Sequence, residues 1–225
     1  QFYAAAAASL AKDSRLAISA LERAKNTPYR QYDVYQYLCY EYGEARTAQD
    51  SVMLEKTFEE GMQVFPDSAF FLNNLINTYI YSNRNEKALE MLNVAIQKNP
   101  NDANLYNVMG RVYETGLKDY ANAEKNFQIA LEKDPNLTDA LSNIGRIYYN
   151  QGVNKLSEAN MINDSKKYQE ELGMAKDLFK KALPYYKKAH EAEPEKMDNM
   201  IALRGIYYNL NMGPELEAIE AEMNK

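Results

Sequence analysis

The feature that most constrains the fold of this chain is a recurrence of prolines at nearly constant spacing. Pro66 and Pro100 are 34 residues apart, and Pro100 and Pro135 are 35 residues apart. Pro194 follows after 59 residues, which is one 34-residue interval plus 25. Each proline closes an apolar pattern of helical period, and proline ends a helix because it lacks an N–H and clashes with the preceding turn. The sequence therefore predicts successive helical units, one of which carries 25 additional residues.

Small and aromatic residues also recur at fixed positions within these units. In residues 103–137, Gly110 and Tyr113 belong to the first helix, and Ala123 and Phe127 belong to the second. This order resembles the tetratricopeptide repeat family, whose signature of about 34 residues is W-x2-L-G-x2-Y, then A-x3-F, then P. The resemblance covers nearly the whole chain and is of the bacterial type. It implies an all-α fold, a right-handed superhelical solenoid of antiparallel helix pairs.

A single solenoid domain over residues 1–225 is expected from this resemblance. Its predicted units are a truncated N-terminal repeat at 1–31, repeats at 32–68, 69–102 and 103–137, a repeat with an elongated hairpin at 138–197, and C-terminal capping helices at 198–225. One residue is inserted near Lys118. The tyrosine of each first helix is expected in the core, where neighbouring units stack. These tyrosines are Tyr79, Tyr113, Tyr148 and Tyr208.

Composition excludes several classes of function. The net charge is −6, whereas a nucleic-acid-binding face must be basic to neutralise phosphates. No apolar run reaches the length of about 20 residues that spans a bilayer. One cysteine, Cys39, and one histidine, His190, cannot build a zinc site or a conventional nucleophilic triad. The sequence therefore predicts no catalytic residue, no metal, no cofactor, no nucleic acid and no direct membrane insertion, and hence no enzyme.

The additional residues in the fourth unit predict a long helical hairpin at about 150–177. Its second arm starts at Asp164 or Ser165 as N-cap and carries an apolar stripe at spacings of four and three. We expect it to project about 15–20 Å beyond the solenoid. It is either a docking element or a neutral insertion held by its own helix contact. The residues predicted for docking are Leu156, Tyr168, Leu172 and Phe179.

Homodimerisation through this hairpin is left open by the sequence. If it occurs, Phe179→Glu should leave the chain folded but monomeric, because Phe179 would then belong to the contact between copies.

The first helices of successive pairs predict a polar concave groove. Its side chains combine asparagine amides, which both donate and accept, with Arg111 and Arg146, which can form a fork for a carboxylate. This set suits an extended peptide with an acidic side chain or a C-terminus. The alternative is a solvated groove whose partner docks elsewhere. The predicted groove residues are Phe70, Asn73, Asn77, Asn104, Asn107, Arg111, Asp139, Ser142 and Arg146.

These features favour a protein-interaction scaffold that binds a peptide segment or a partner helix through the groove, the hairpin or both. A structural component of a cell-envelope complex is one alternative, and an accessory domain of a larger enzyme or regulator is another. The chain begins at Gln1 rather than Met, which is typical of a processed or trimmed N-terminus. The Tyr- and Asn-rich composition and the long final hairpin are similar to those of envelope-associated bacterial repeat proteins, so a periplasmic or envelope location after signal removal is slightly favoured over the cytoplasm.

Overall fold

The computed structural model describes residues 2–10, 12–45 and 47–224, and every regular element within them is a helix. Gln1, on which the expectation about N-terminal processing rests, lies outside the described residues. The chain forms two compact units, residues 1–94 and 95–225. The helices of the first unit are α1 (Phe2–Leu10), α2 (Ser14–Ala24), α3 (Gln31–Ala45), α4 (Ala48–Val64), α5 (Ala69–Tyr81) and the greater part of α6 (Asn85–Lys98).

The first unit is held by apolar contacts between consecutive helices and by polar groups at their ends. Phe2 of α1 packs in one cluster with Leu21 of α2 and Leu38 of α3, so α1 is a partner for α2 although it has only nine residues. At the start of α4, Thr47 and Asp50 form a capping box, which satisfies free N–H groups of the first turn.

The second unit contains six α-helices, counted within the described residues and with the end of α6 left aside, and one π-helical turn. They are α7 (Ala103–Arg111), the π-turn (Val112–Leu117), α8 (Tyr120–Lys133), α9 (Thr138–Ala159), α10 (Ser165–Ala192), α11 (Met197–Asn209) and α12 (Gly213–Met223). The π-turn ends at Lys118, which adopts a left-handed conformation with φ 57°. It lies where one residue is added to the 34-residue spacing, and a wider turn absorbs one extra residue without ending the helix pair.

Close approach within helix pairs of this unit depends on glycine. A Cβ atom on Gly110 would lie 2.6 Å from the ring of Phe127, and one on Gly145 would lie 2.8 Å from the ring of Tyr186. Both rings are buried, so neither can move into solvent. The small-residue positions of the sequence pattern therefore mark the points where first and second helices cross.

Helices α9 and α10, called the long hairpin below, are the longest in the described chain, with 22 and 28 residues. Asp164 caps α10 by accepting from the backbone N–H of Lys167, which confirms the predicted start signal. The inner part of the hairpin is packed against neighbouring helices, and the projection expected of its outer part stays a prediction. Phe179 is 1% exposed and shares a cluster with Leu203 of α11, so the inner part of the hairpin belongs to the core.

The tyrosine predicted for the core of the last unit is placed at the surface. Tyr79 is buried, and Tyr113 and Tyr148 are half-buried, but Tyr208 is 69% exposed. Its neighbour Tyr207 is buried instead. In α11, Leu203, Ile206 and Tyr207 form the buried face against α10 and α12. The prediction that Tyr208 lies in the core was therefore wrong. The last helix pair buries a different face of its first helix from the face that the earlier pairs bury.

Candidate functional site

A buried carboxylate and an arginine from two neighbouring helices form the centre of the polar face of the second unit. The Arg146 guanidinium, on α9, donates to a Glu114 carboxylate oxygen in the π-turn at 2.7 Å. Arg146 also donates to Asn143, and Asn143 donates to Asn107 at 2.9 Å. Burial raises the pKa of Glu114, although the nearby cations oppose that shift. This network ties α7, the π-turn and α9 together.

Positive charge exceeds negative charge around Glu114. Besides Arg146, the cations Arg111 and Lys118 act on the Glu114 carboxylate. Arg146 is paired with Glu114, so Arg111 and Lys118 form a surplus of positive charge beside that pair, although the whole chain has a net charge of −6. Arg111 and Lys118 are exposed, and neither has an ion-pair partner among the described residues. The surplus is therefore open to an anionic ligand.

A pocket of about 260 Å³ lies beside Glu114 and is named the amide pocket here. Its polar lining comes from Asn150, Gln151 and Asn154 on α9 and from Tyr120 at the start of α8. Side-chain amides can pair with both the N–H and the C=O of a peptide. The sequence interpretation missed these residues and Glu114. The available signal was the run of amide residues that follows Arg146 on the same helix.

Several predicted groove residues of the second unit are already engaged by the protein. Asn107 is 5% exposed and accepts from Asn143, so its expected exposure was wrong. Ser142 donates to the buried Asn199 of α11 at 2.9 Å. Asp139 pairs with Lys196 at 3.1 Å. Polar side chains at these positions link consecutive first helices, since those helices lie close enough for hydrogen bonds between them.

The remaining groove residues lie at the surface of their own units. Asn104 is exposed on α7 of the second unit. In the first unit, Asn73 and Asn77 are exposed on α5, and Phe70 is half-buried against Phe58. The side chains that the second unit offers to a ligand at this face are therefore Asn104, Arg111 and part of Arg146, together with the amide pocket.

A second concave surface lies between the long hairpin and the α11–α12 turn. It is an open groove of about 670 Å³, named the terminal groove. From the hairpin it is lined by Leu156, Tyr168, Leu172 and Lys176. From α11, α12 and the turn between them it is lined by Tyr207, Tyr208, Asn209, Asn211, Met212, Gly213 and Leu216.

Three of the four residues predicted for docking on the hairpin line this groove. Leu156, Tyr168 and Leu172 are half-buried there, whereas Phe179 is enclosed in the core and cannot contact a partner. A glutamate at position 179 would place a charge among apolar side chains, so Phe179→Glu would disrupt the fold. It is therefore not the selective test of dimerisation that the sequence suggested.

Within the described residues, no helix is long and apolar enough to cross a membrane. The same part of the chain has no group of three or more His, Cys, Asp or Glu side chains placed to hold a metal ion. His190 lies beside Glu222 of α12 at 3.3 Å, and Cys39 is buried in the first unit.

Comparison with known proteins is informative for the fold. No protein-family model matches the sequence, and no curated protein sequence matches it. Among solved structures, one entitled "Crystal structure of MamA" superimposes with a TM-score of 0.56 at 19% identity, covering 86% of this chain and 96% of that chain. A second, "Crystal structure of MamA protein", gives 0.58 at 15% identity, covering 84% and 88%.

The chain shares its fold with MamA. That protein is an all-helical repeat protein of the tetratricopeptide type, so the predicted fold class, an all-α solenoid of helix pairs, is confirmed. At this level of identity the likeness extends to the fold alone, because one fold supports many functions.

Proposed function

We propose that this chain is a non-enzymatic scaffold that binds a peptide segment of a partner protein on the polar face of residues 95–225. The observation that carries the proposal is the exposed Arg111, which has no ion-pair partner among the described residues, beside the buried Glu114–Arg146 pair. A free guanidinium next to a local surplus of positive charge favours a carboxylate, because guanidinium and carboxylate can form two parallel hydrogen bonds.

The amide pocket supports a peptide rather than a free anion as the ligand. Asn150, Gln151 and Asn154 can pair with successive backbone groups, while Arg111 binds an acidic side chain or a C-terminal carboxylate. The buried Glu114 holds Arg146 in place, so part of the positive charge is fixed before a ligand arrives. Such preorganisation lowers the entropic cost of binding.

The test compares capture of partners from the native host's lysate by the wild-type chain and by Arg111→Glu. Arg111 is exposed and has no ion-pair partner among the described residues, so this variant should fold normally. Arg204→Glu, at an exposed arginine of α11, is the matched control for the charge change. Arg146 is unsuitable for reversal, because a glutamate there would face the buried Glu114.

The proposal predicts a partner that is captured by the wild-type chain and by Arg204→Glu but not by Arg111→Glu. A synthetic peptide from the contacting segment should then bind with an affinity that falls as salt rises, because exposed charges are screened. If every captured partner is retained by Arg111→Glu, the polar face is not the recognition site.

A further inference from the structure

The apolar stripe of α10 is only partly covered within this chain. Its inner members Phe179 and Tyr186 are buried against α11 and α12 in one cluster. Its outer members Tyr168 and Leu172 are half-buried and line the terminal groove. The same helix face thus passes from a core packed by helices into an open groove.

The far side of the terminal groove also presents apolar surface to solvent. Tyr208 is 69% exposed, and Met212 and Leu216 of the C-terminal pair are half-buried along the groove. An aromatic ring left in water beside other apolar side chains can bury further area on a partner, and aromatic residues are enriched at interaction sites.

Among the described residues that line the groove, Lys176 is the one with a charged side chain. It lies four residues after Leu172, so both share one face of α10. It is half-buried, and no carboxylate among the described residues pairs with it. Lys155 on the facing helix differs in this respect, because it is neutralised by Glu158 and Glu171. An occupant that supplies a carboxylate would therefore complement the charge of Lys176.

We infer that the terminal groove binds a short amphipathic helix of a partner protein, with an apolar face for Leu172 and Tyr208 and an acidic residue for Lys176. This inference rests on the proposed function, because it too assumes that the chain binds a partner protein. It uses none of the residues around Glu114.

A helix suits this groove better than an extended segment. The stripe spacing of four and three matches the ridges of a packed helix, and its inner half is already covered by a helix, α11. The groove is bounded by helices and a turn, so it offers no strand edge that an extended peptide could extend by backbone pairing. From Tyr168 to Lys176 the groove follows α10 over eight residue-to-residue steps, or about 12 Å, which corresponds to slightly more than two helical turns.

The probe is a displayed library of short helical peptides with apolar residues at positions i, i+3, i+4 and i+7 and all other positions random. The full chain selects from this library, and the enriched peptides are synthesised and titrated by fluorescence anisotropy. The inference predicts enrichment of peptides that carry Asp or Glu beside the apolar face. Their affinity should fall at least about tenfold with Leu172→Asp and with Tyr208→Ala, as expected for central apolar contacts.

Charge variants on one helix supply the matched control. Lys176→Glu should weaken the selected acidic peptides and shift a new selection toward Lys or Arg at that position. Lys180→Glu, one turn further along α10 at an exposed position outside the groove lining, should leave binding unchanged. Tyr208→Ala alters an exposed side chain, so a loss of binding in that variant cannot come from unfolding.

Three results would overturn the inference. One is a selection without enrichment, and another is enriched peptides that bind Leu172→Asp and Tyr208→Ala as well as wild type. The third is a dimer in light scattering that Leu172→Asp converts to a monomer, since the groove would then be filled by a second copy. Arg111→Glu separates the two proposals, because it should abolish capture at the polar face and leave the selected helices bound.

Discussion

The inner half of the long hairpin should behave as core, and Phe179→Ala tests this directly. The Phe179 ring is 1% exposed, packs edge-to-face on Tyr149 at 5.6 Å between centroids, and lies against Gly152. Truncating a fully buried phenylalanine costs about 3–5 kcal/mol, because the apolar contacts are lost and a cavity remains. We therefore expect the free energy of unfolding to fall by about 4 kcal/mol.

The measurement is urea unfolding followed by far-ultraviolet circular dichroism. With an m value of about 2 kcal/mol/M, that loss lowers the midpoint by about 2 M urea. The matched control is Leu172→Ala on the same stripe, which is half-buried in the terminal groove and should cost about 1 kcal/mol, or about 0.5 M. If Phe179→Ala shifts the midpoint no further than Leu172→Ala, the Phe179 ring is not buried in the core as described.

Three other perturbations have defined outcomes. Gly110→Ala places a methyl group 2.6 Å from the buried ring of Phe127, and thermal denaturation should show a loss of about 1–3 kcal/mol. The Arg15 guanidinium beside Asp50 lowers the pKa of that carboxyl to about 2, so its contribution to stability is present above its ordinary pKa of 3.8 and is lost as the pH falls toward 2. The stability deficit of Asp50→Asn should accordingly disappear in acid, and a deficit of equal size at all pH values would contradict this reasoning. Burial raises the pKa of Cys39 to about 12, so a thiol-specific reagent should react slowly with the native chain and rapidly in urea.

The repeating positions of glycine, alanine and aromatic residues were sufficient to predict the fold class. They report contacts inside each helix pair, such as Gly110 against Phe127, which depend on local spacing. For Tyr208 the same reasoning gave a wrong prediction of burial. A prediction from fixed positions in a repeat assumes that every unit is packed like its neighbours. In the last unit, α11 instead buries the face that includes Tyr207 and leaves Tyr208 exposed.

The candidate surfaces were predictable only in part. Arg111 and Arg146 were identified from helical phase, but their different roles depend on Glu114, which lies in a π-turn that helical phase does not anticipate. The stripe on α10 was likewise found, but not which part of it α11 covers, since that depends on contacts between residues far apart in the sequence. Phe179 is the clearest example. It lies on the same apolar stripe as Leu172, but Phe179 is buried in the core whereas Leu172 lines the open terminal groove.

The last helix, α12, buries few side chains against the rest of its unit. Ile219 is its single fully buried residue within the described chain, and α11 packs against it from one side. Elements with few buried contacts open locally at low free-energy cost, so α12 should show the fastest amide exchange among the helices of its unit. Its first turn, with Leu216, also borders the terminal groove. A helix bound in the groove would contact α12 in its folded form and would therefore stabilise it. The rate of amide exchange in α12 would then fall as the occupied fraction of the groove rises.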